Sequence, residues 1–344
     1  MLFSGLGIAF QKPLMHDFPG IAGDPVMLVL TIISIYSIVG TIFKLLVIKW
    51  LGPWLEHRVG LNREVRLRDM FRKGIRSTAI LGGTLQAFHG VLFVSLVAYI
   101  SPAGLAAARA CVVVPLAVVE LVAGVMTATG KLWYVRLGAA LLSTITGAMV
   151  VVVAGGTKGL FEESGMVPLI LFFLLLTIGN LALAIAENQE RLGVHHKVAA
   201  APVYTLARFI AFGLTGVVSA VIWGIVNGRF DIMLAVIYMC WHRWYFIVGI
   251  AFFWALTDLS RICVKTIMSA TYMFVVMSFA IFVDLMVQIP LHNWWPEIYD
   301  NVHTDLYSVL WAVGGFALMV VGRVLYPPQT ETRDATLEQD VAPA

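Results

Sequence analysis

Apolar residues fall into nine blocks of about 20 residues or more, at 25–50, 78–100, 103–127, 132–153, 166–185, 199–226, 232–256, 262–287 and 306–324. A helix of about 20 residues crosses ~30 Å of hydrocarbon. Inside hydrocarbon a backbone must satisfy its own hydrogen bonds, so a continuous apolar block predicts a helix. The pattern predicts an all-α polytopic integral membrane protein with about nine transmembrane helices.

The segments between the blocks predict orientation through their Lys and Arg content. The first carries Arg58, Arg63, Arg66, Arg68, Arg72, Lys73 and Arg76. The third, fifth and seventh carry Lys131 and Arg136, Arg191 and Lys197, and Arg261. The intervening segments are poor in both, holding only Lys158 and Arg229. This alternation puts the amino terminus outside and the carboxyl terminus in the cytoplasm, as in a bacterial cytoplasmic membrane. Residues 1–24 are expected to form an external or interfacial segment; residues 1–10 are apolar but too short to span, and carry no mark of a cleaved leader. Residues 25–326 form the membrane domain, and the polar, acidic residues 327–344 a disordered cytoplasmic tail. The basic segment 51–77 reads either as an amphipathic helix on anionic lipid or as a solvated loop. Trp294, Trp295 and Tyr299 read as an interfacial anchor.

Composition removes the other broad classes. Of 344 residues, 60% are hydrophobic and 12% charged, and mean hydropathy is +0.89. Soluble domains hold about 25% charged residues. A soluble enzyme, a disordered chain and a nucleic-acid partner are thereby excluded. Cys111, Cys240 and Cys263 lie in apolar runs without CxxC spacing, so neither a metal knuckle nor a disulfide framework is expected.

Two stretches share a pattern. Ala108-Arg109-Ala110-Cys111-Val112 opens the third block, and Ser260-Arg261-Ile262-Cys263-Val264 opens the eighth. Gly147-Ala148-Met149 and Gly315-Phe316-Ala317 occupy the blocks that follow. The third and eighth blocks run in opposite directions, so the pattern suggests an inverted repeat, with 25–155 and 165–326 as its halves. On these features, with the small-residue run Ala103-Gly104-Leu105-Ala106-Ala107-Ala108, the central Pro115, and the glycines Gly138, Gly147, Gly314 and Gly315, the chain resembles the drug/metabolite transporter superfamily. The resemblance implies two inverted five-helix repeats around a central cavity. It also implies that the family's first helix is missing here, its place taken by residues 1–10.

Ionisable groups inside the spans are costly and are expected to face the bundle interior. His89 lies in the second block, Arg109 and Glu120 in the third, Arg208 in the sixth, His242 and Arg243 in the seventh, and Lys265 and Asp284 in the eighth. Arg109 and Glu120 are eleven residues apart, on one helical face about 16 Å apart along the axis. Arg109, Glu120, Arg208, Arg243, His242 and His89 are therefore the candidate substrate-binding residues. Guanidinium groups bind carboxylates and phosphates bidentately, so a small anionic or phosphorylated solute is the expected ligand. The plainer reading makes them structural pairs, with Glu120 answering Arg208 or Arg243. His195 with His196, and His292 with Asp300 and His303, are weaker metal candidates. No cofactor or resident metal is expected. No P-loop, HExxH or GxSxG motif occurs, which counts against an enzyme.

Three functions compete at this level. The first is a transporter or flippase-like carrier of a small organic anion. The second is a membrane enzyme acting on lipid phosphate or acyl groups. The third is a scaffold that assembles with membrane partners or a second copy of itself. Membrane lipid is a partner in each.

Overall fold

The computed structural model describes residues 6–7, 11–14, 24–58, 64–97, 99–124, 126, 130–154, 166–195, 200–265, 269–278, 280–299 and 305–327. Among them there is no strand, and eight helices are long and apolar enough to cross a membrane. The chain is an all-α, multi-pass membrane protein.

The first half begins with α1 (Pro25–Arg58) and, after a short 3-10 turn at Leu67–Phe71, α2 (Lys73–Leu96). Next comes a broken helix, α3 (Pro102–Ala110) and α4 (Val113–Val122), then α5 (Lys131–Ala154). The second half holds α6 (Met166–Leu174), continued through a π turn at Leu175–Gly179 into α7 (Asn180–His195). Then follow α8 (Ala201–Asn227), α9 (Phe230–His242), α10 (Trp244–Lys265), α11 (Ala270–Met277), α12 (Ala280–Trp294) and α13 (Leu306–Leu325).

Three expected spans are divided. The block at 232–256 is split at Arg243 into α9 and α10. The consecutive polar residues His242 and Arg243 interrupt the apolar run there, and Arg243 leaves helical geometry at φ −112, ψ 28. Helix α9 has only 13 residues, about 20 Å, too short to cross. The block at 262–287 becomes α11 and α12, broken at Ser278, whose hydroxyl donates to the Val275 carbonyl at 2.6 Å. The break between α3 and α4, at Cys111–Val112, has a different cause. Pro115 lacks an N–H for the Cys111 carbonyl and its ring crowds that carbonyl. Both broken helices open on a serine cap: Ser101 accepts from the Gly104 N–H and Ser269 from the Tyr272 N–H.

The core is built by close helix pairs. Helices α1 and α8 run antiparallel, with Gly213 against Ser37 and Gly40 against the Phe209 ring. Helix α10 lies on α1 through Phe43–Phe252, with ring centroids 5.8 Å apart. Helix α8 ends at Gly228, in the left-handed region at φ 63, where a side chain is disfavoured. Helices α5 and α13 form a separate antiparallel seam. A Cβ built on Gly147 would lie 2.3 Å from the Gly315 carbonyl oxygen, and one on Gly315 would lie 2.6 Å from that of Gly147. The Ser143 hydroxyl donates across the seam to the Leu318 carbonyl at 2.6 Å. Small residues permit such approach in a membrane, where packing rather than hydrophobicity drives helix association.

Gly147→Val forces this backbone contact apart. We expect the variant to melt well below the wild type in detergent, since overpacking costs about 1–3 kcal/mol. Gly138→Val is the control: it lies on the same helix, and a Cβ there meets nothing within 4 Å. Equal melting of the two variants would refute the seam.

Candidate functional site

A cavity of about 90 Å³ lies among helices α1, α2, α3, α8 and α10. Its wall is mainly apolar and aromatic, with Ile32, Tyr36, Phe93, Phe212, Ile250 and Trp254 among its residues. Polar groups enter from Gln86 and His89 on α2, Arg109 on α3 and Asp258 on α10. Gln86 and His89 are three residues apart and share one helical face. His89 stacks on Phe93, centroids 5.9 Å apart. The Arg109 guanidinium lies 4.6 Å over the Trp254 ring, a cation–π contact.

Residues 11–14, expected at an interface, close one side of this cavity: Gln11 and Leu14 line it, and Leu14 is 1% exposed. Arg243 holds this turn by donating to the Pro13 carbonyl at 2.7 Å.

Several polar atoms at the cavity have no hydrogen-bond partner among the described residues. They are Gln11 Oε1, Gln86 Oε1, His89 Nε2, Arg109 Nε and Trp254 Nε1. Buried polar groups are normally satisfied, so this cluster has bonding capacity left for a guest. The guest's charge follows from the ion pairs. Among the described residues, no carboxylate lies within ion-pair distance of Arg109.

Among the described residues, Lys44, Arg191, Arg208 and Arg261 are ion-paired. Below the cavity lies a network of three bases and three acids. Lys44 pairs with Asp258, and Arg261 bridges Asp258 (3.4 Å) and Glu187. Arg208 bridges Glu187 (3.4 Å) and Glu190 (2.9 Å), and the Thr205 hydroxyl donates to Glu190 at 2.8 Å. Lys44 also lies 3.6 Å over the Phe209 ring. All six charged side chains are buried. Their charges sum to zero, so the carboxylate of Asp258 is already answered where it meets the cavity.

Glu120 belongs to another place. It accepts from Arg191 (2.7 Å), from the backbone N–H groups of Ala270 (2.8 Å) and Thr271 (3.0 Å), and from the Thr271 hydroxyl (2.5 Å). A carboxylate is well placed at a helix N-terminus, where unpaired N–H groups converge. Glu120 thus ties α4 and α7 to the start of α11.

The expected set therefore divides. Arg109 and His89 share the cavity. Arg208 belongs to the network, Glu120 to the α4–α11 junction and Arg243 to the turn at 11–14. His242 is exposed on α9, 4.2 Å from the Tyr238 ring. Glu120 is answered by Arg191 rather than by Arg208 or Arg243. Arg191 and Arg261, counted above as charges of connecting segments, are both engaged inside the bundle. The alignment of Arg109 with Arg261 also changes. Arg109 lies near the end of α3, whereas Arg261 lies in α10, before the second broken helix begins.

The sequence reading missed Gln86, Trp254, Lys44 and Asp258, and it set Glu187 and Glu190 only beside the weak metal candidates His195 and His196. A signal existed for the two glutamates: Glu187 and Glu190 sit at i, i+3 on one helix face. Asn180 was also passed over; its amide donates to the Ala108 carbonyl at 3.1 Å, beside Arg109.

Among the described residues, no group of three or more His, Cys, Asp or Glu could hold a metal. His292 is engaged with the Tyr299 carbonyl at 2.8 Å. The side chains of His195 and Lys265, together with His196, Lys197, Asp300, His303 and the tail, lie outside the described residues. No family model and no curated protein matches the chain.

Proposed function

We propose that the protein is a secondary carrier for small organic anions with an apolar body. The observation that carries this reading is the Arg109 guanidinium, held at the wall of an aromatic cavity without a carboxylate partner among the described residues. A guanidinium without a counter-charge in a low-dielectric site is costly. An anion that brings its own negative charge removes the cost. The unpartnered Trp254 indole N–H, and the His89 ring nitrogen in the tautomer that carries its proton, supply further donors beside it, and Phe93, Phe212 and Trp254 suit an apolar or ring-shaped body. The mainly apolar wall favours an organic monoanion over free phosphate.

The layout supports a carrier over an enzyme or a scaffold. Two broken helices, each opened by a serine cap, meet the bundle in its two halves. Ser101 and Ser269 are as far apart in sequence as Gly147 and Gly315. This equal spacing supports the reading of an inverted repeat about an axis through the α5–α13 seam, and discontinuous helices at the repeat interface are how secondary transporters build their sites. The arrangement fits a divergent, nine-pass relative of the drug/metabolite transporter superfamily, with residues 11–14 standing where a first helix would pack. The basic segment 58–76 gives the orientation: that end is cytoplasmic, in a bacterial inner membrane.

Binding of benzoate and of its neutral isostere benzamide to the detergent-purified protein tests this. A hydrogen bond to a charged group is worth about 1.5–3 kcal/mol, so benzamide should bind about 10–150-fold more weakly. Inorganic phosphate, which cannot fill the apolar wall, should also bind more weakly. Equal affinity for benzoate and benzamide, or no binding of either, would remove the anion-carrier reading.

A further inference from the structure

The unpartnered atoms of the central cavity are of two kinds. Arg109 Nε and Trp254 Nε1 are donors, whereas Gln11 Oε1 and Gln86 Oε1 are acceptors. A carboxylate has only acceptor oxygens, so it answers the first kind and leaves the second unanswered. Turning either amide end for end exchanges its oxygen for its NH2 group but removes neither. A carboxylate therefore satisfies at most half of each amide. A buried carbonyl oxygen without a donor subtracts from the free energy of binding. The wall asks for a second group on the ligand, one that donates.

Both amides are carried by parts of the chain that are held in place. Gln86 lies three residues after Gly83 and four before Gly90, so the three share one face of α2. A Cβ on Gly83 would lie 2.6 Å from the Arg208 carbonyl oxygen of α8, and one on Gly90 would lie 3.1 Å from the Phe212 ring. These close contacts fix the register of Gln86 against α8. Gln11 belongs to the turn that Arg243 holds by donating to the Pro13 carbonyl at 2.7 Å. The aromatic wall is equally set. Phe212 stacks on Phe209 with centroids 5.5 Å apart and meets Tyr36 edge-on at 6.3 Å.

Charge decides what kind of donor the ligand brings. The buried network sums to zero, and one carboxylate answers Arg109. A cationic donor such as an ammonium would need an acid of its own. Among the described residues lining the cavity, Asp258 is the only carboxylate, and Lys44 and Arg261 hold it. The donor is therefore a neutral one. A hydroxyl carries no charge, and it donates and accepts from a single oxygen. It pairs with a primary amide whichever way the amide is turned. His89 Nε2 donates or accepts according to tautomer, so it adds to either group without discriminating between them.

We propose that the site is built for hydroxylated aromatic monocarboxylates. The carboxylate sits at Arg109 and the Trp254 indole N–H, the ring lies against Phe93 and Phe212, and the hydroxyl bonds to Gln86 and Gln11. This assignment rests on the anion reading of Arg109 given above and narrows it to one class of anion.

The test compares pairs of ligands on the detergent-purified protein. At about pH 7 a hydroxybenzoate has an ionised carboxyl and a protonated phenol. Benzoate, meta- and para-hydroxybenzoate, and meta- and para-fluorobenzoate are each titrated. Fluorine takes the place of the hydroxyl without supplying an O–H. At one ring position or both, the hydroxybenzoate should bind at least about fivefold more tightly than the matching fluorobenzoate. The double variant Gln11→Met with Gln86→Met keeps both side chains long and unbranched and removes both amides. In it the ratio of the two affinities should fall to about one.

A wild-type ratio of about one at both ring positions overturns the hydroxyl assignment, while benzoate binding keeps the anion reading. A ratio unchanged in the double variant also overturns it, because the preference then arises elsewhere. Failure of benzoate and both hydroxybenzoates to bind overturns the anion reading, and the hydroxyl assignment with it. Melting curves in detergent establish that the variant is folded, and the wild-type comparison decides by itself if it is not.

Discussion

Arg109→Gln abolishes benzoate binding and leaves the fold intact. Two charge-assisted bonds of about 1.5–3 kcal/mol each are lost, so affinity should fall by at least ~100-fold. Stability should not fall with it. No carboxylate among the described residues depends on Arg109 at ion-pair distance, so its removal leaves no buried acid stranded there. The Trp254 contact is the main loss, and a cation–π pair is worth about 0.5–2 kcal/mol. Arg109→Lys should recover little binding, because an ammonium lacks the planar fork that grips a carboxylate. Isothermal titration with benzoate and a melting curve on the same sample separate the two effects. If Arg109→Gln fails to insert or melts far below the wild type, the residue is structural and the anion site is wrong.

Glu187→Ala gives the opposite outcome, a collapse of stability. Glu187 is shared by Arg208 and Arg261, so its loss leaves two buried guanidinium groups short of charge. Removing one member of a buried ion pair costs about 3–5 kcal/mol, a large part of the ~5–15 kcal/mol that holds a typical domain. We expect little protein in the membrane and a markedly lower melting temperature in detergent. The double variant Glu187→Ala with Arg261→Met should recover part of the abundance, because it removes the stranded charge with the acid. A single variant as abundant and stable as the wild type would show that the network does not support the bundle.

Much of the fold is legible in the sequence because the bilayer imposes a single length rule. Blocks at 25–50, 132–153 and 306–324 become unbroken helices, since nothing in them interrupts the apolar run. The rule fails where one polar residue redirects the backbone. Arg243 and Ser278 each sit inside a run whose mean hydropathy still passes as a span, and averaging hides them. Pro115 is visible because proline breaks a helix by its own covalent structure; Ser278 is not, because a serine breaks one only in context.

The candidate site is legible by residue type but not by partnership. Arg109, Arg208 and Arg243 look alike in sequence, each an arginine in an apolar block. What separates them is which acids share their level of the bundle, and that depends on contacts across many residues. Glu187 and Glu190 answer Arg208, the Pro13 carbonyl answers Arg243, and no described carboxylate answers Arg109 at ion-pair distance. The cavity's aromatic wall was equally hidden, because Phe93, Phe212 and Trp254 come from three helices and carry no spacing signal.

The turn at 11–14 has a consequence for how the protein is made. Its partner Arg243 follows Pro13 by 230 residues. At a synthesis rate of about 5–20 residues per second, that turn waits some 10–50 s at the translocon before the arginine that holds it exists. The cavity wall cannot be complete during that interval, however early α1 and α2 have inserted. The site is closed by a contact of long sequence separation, and its assembly is a late event in biogenesis.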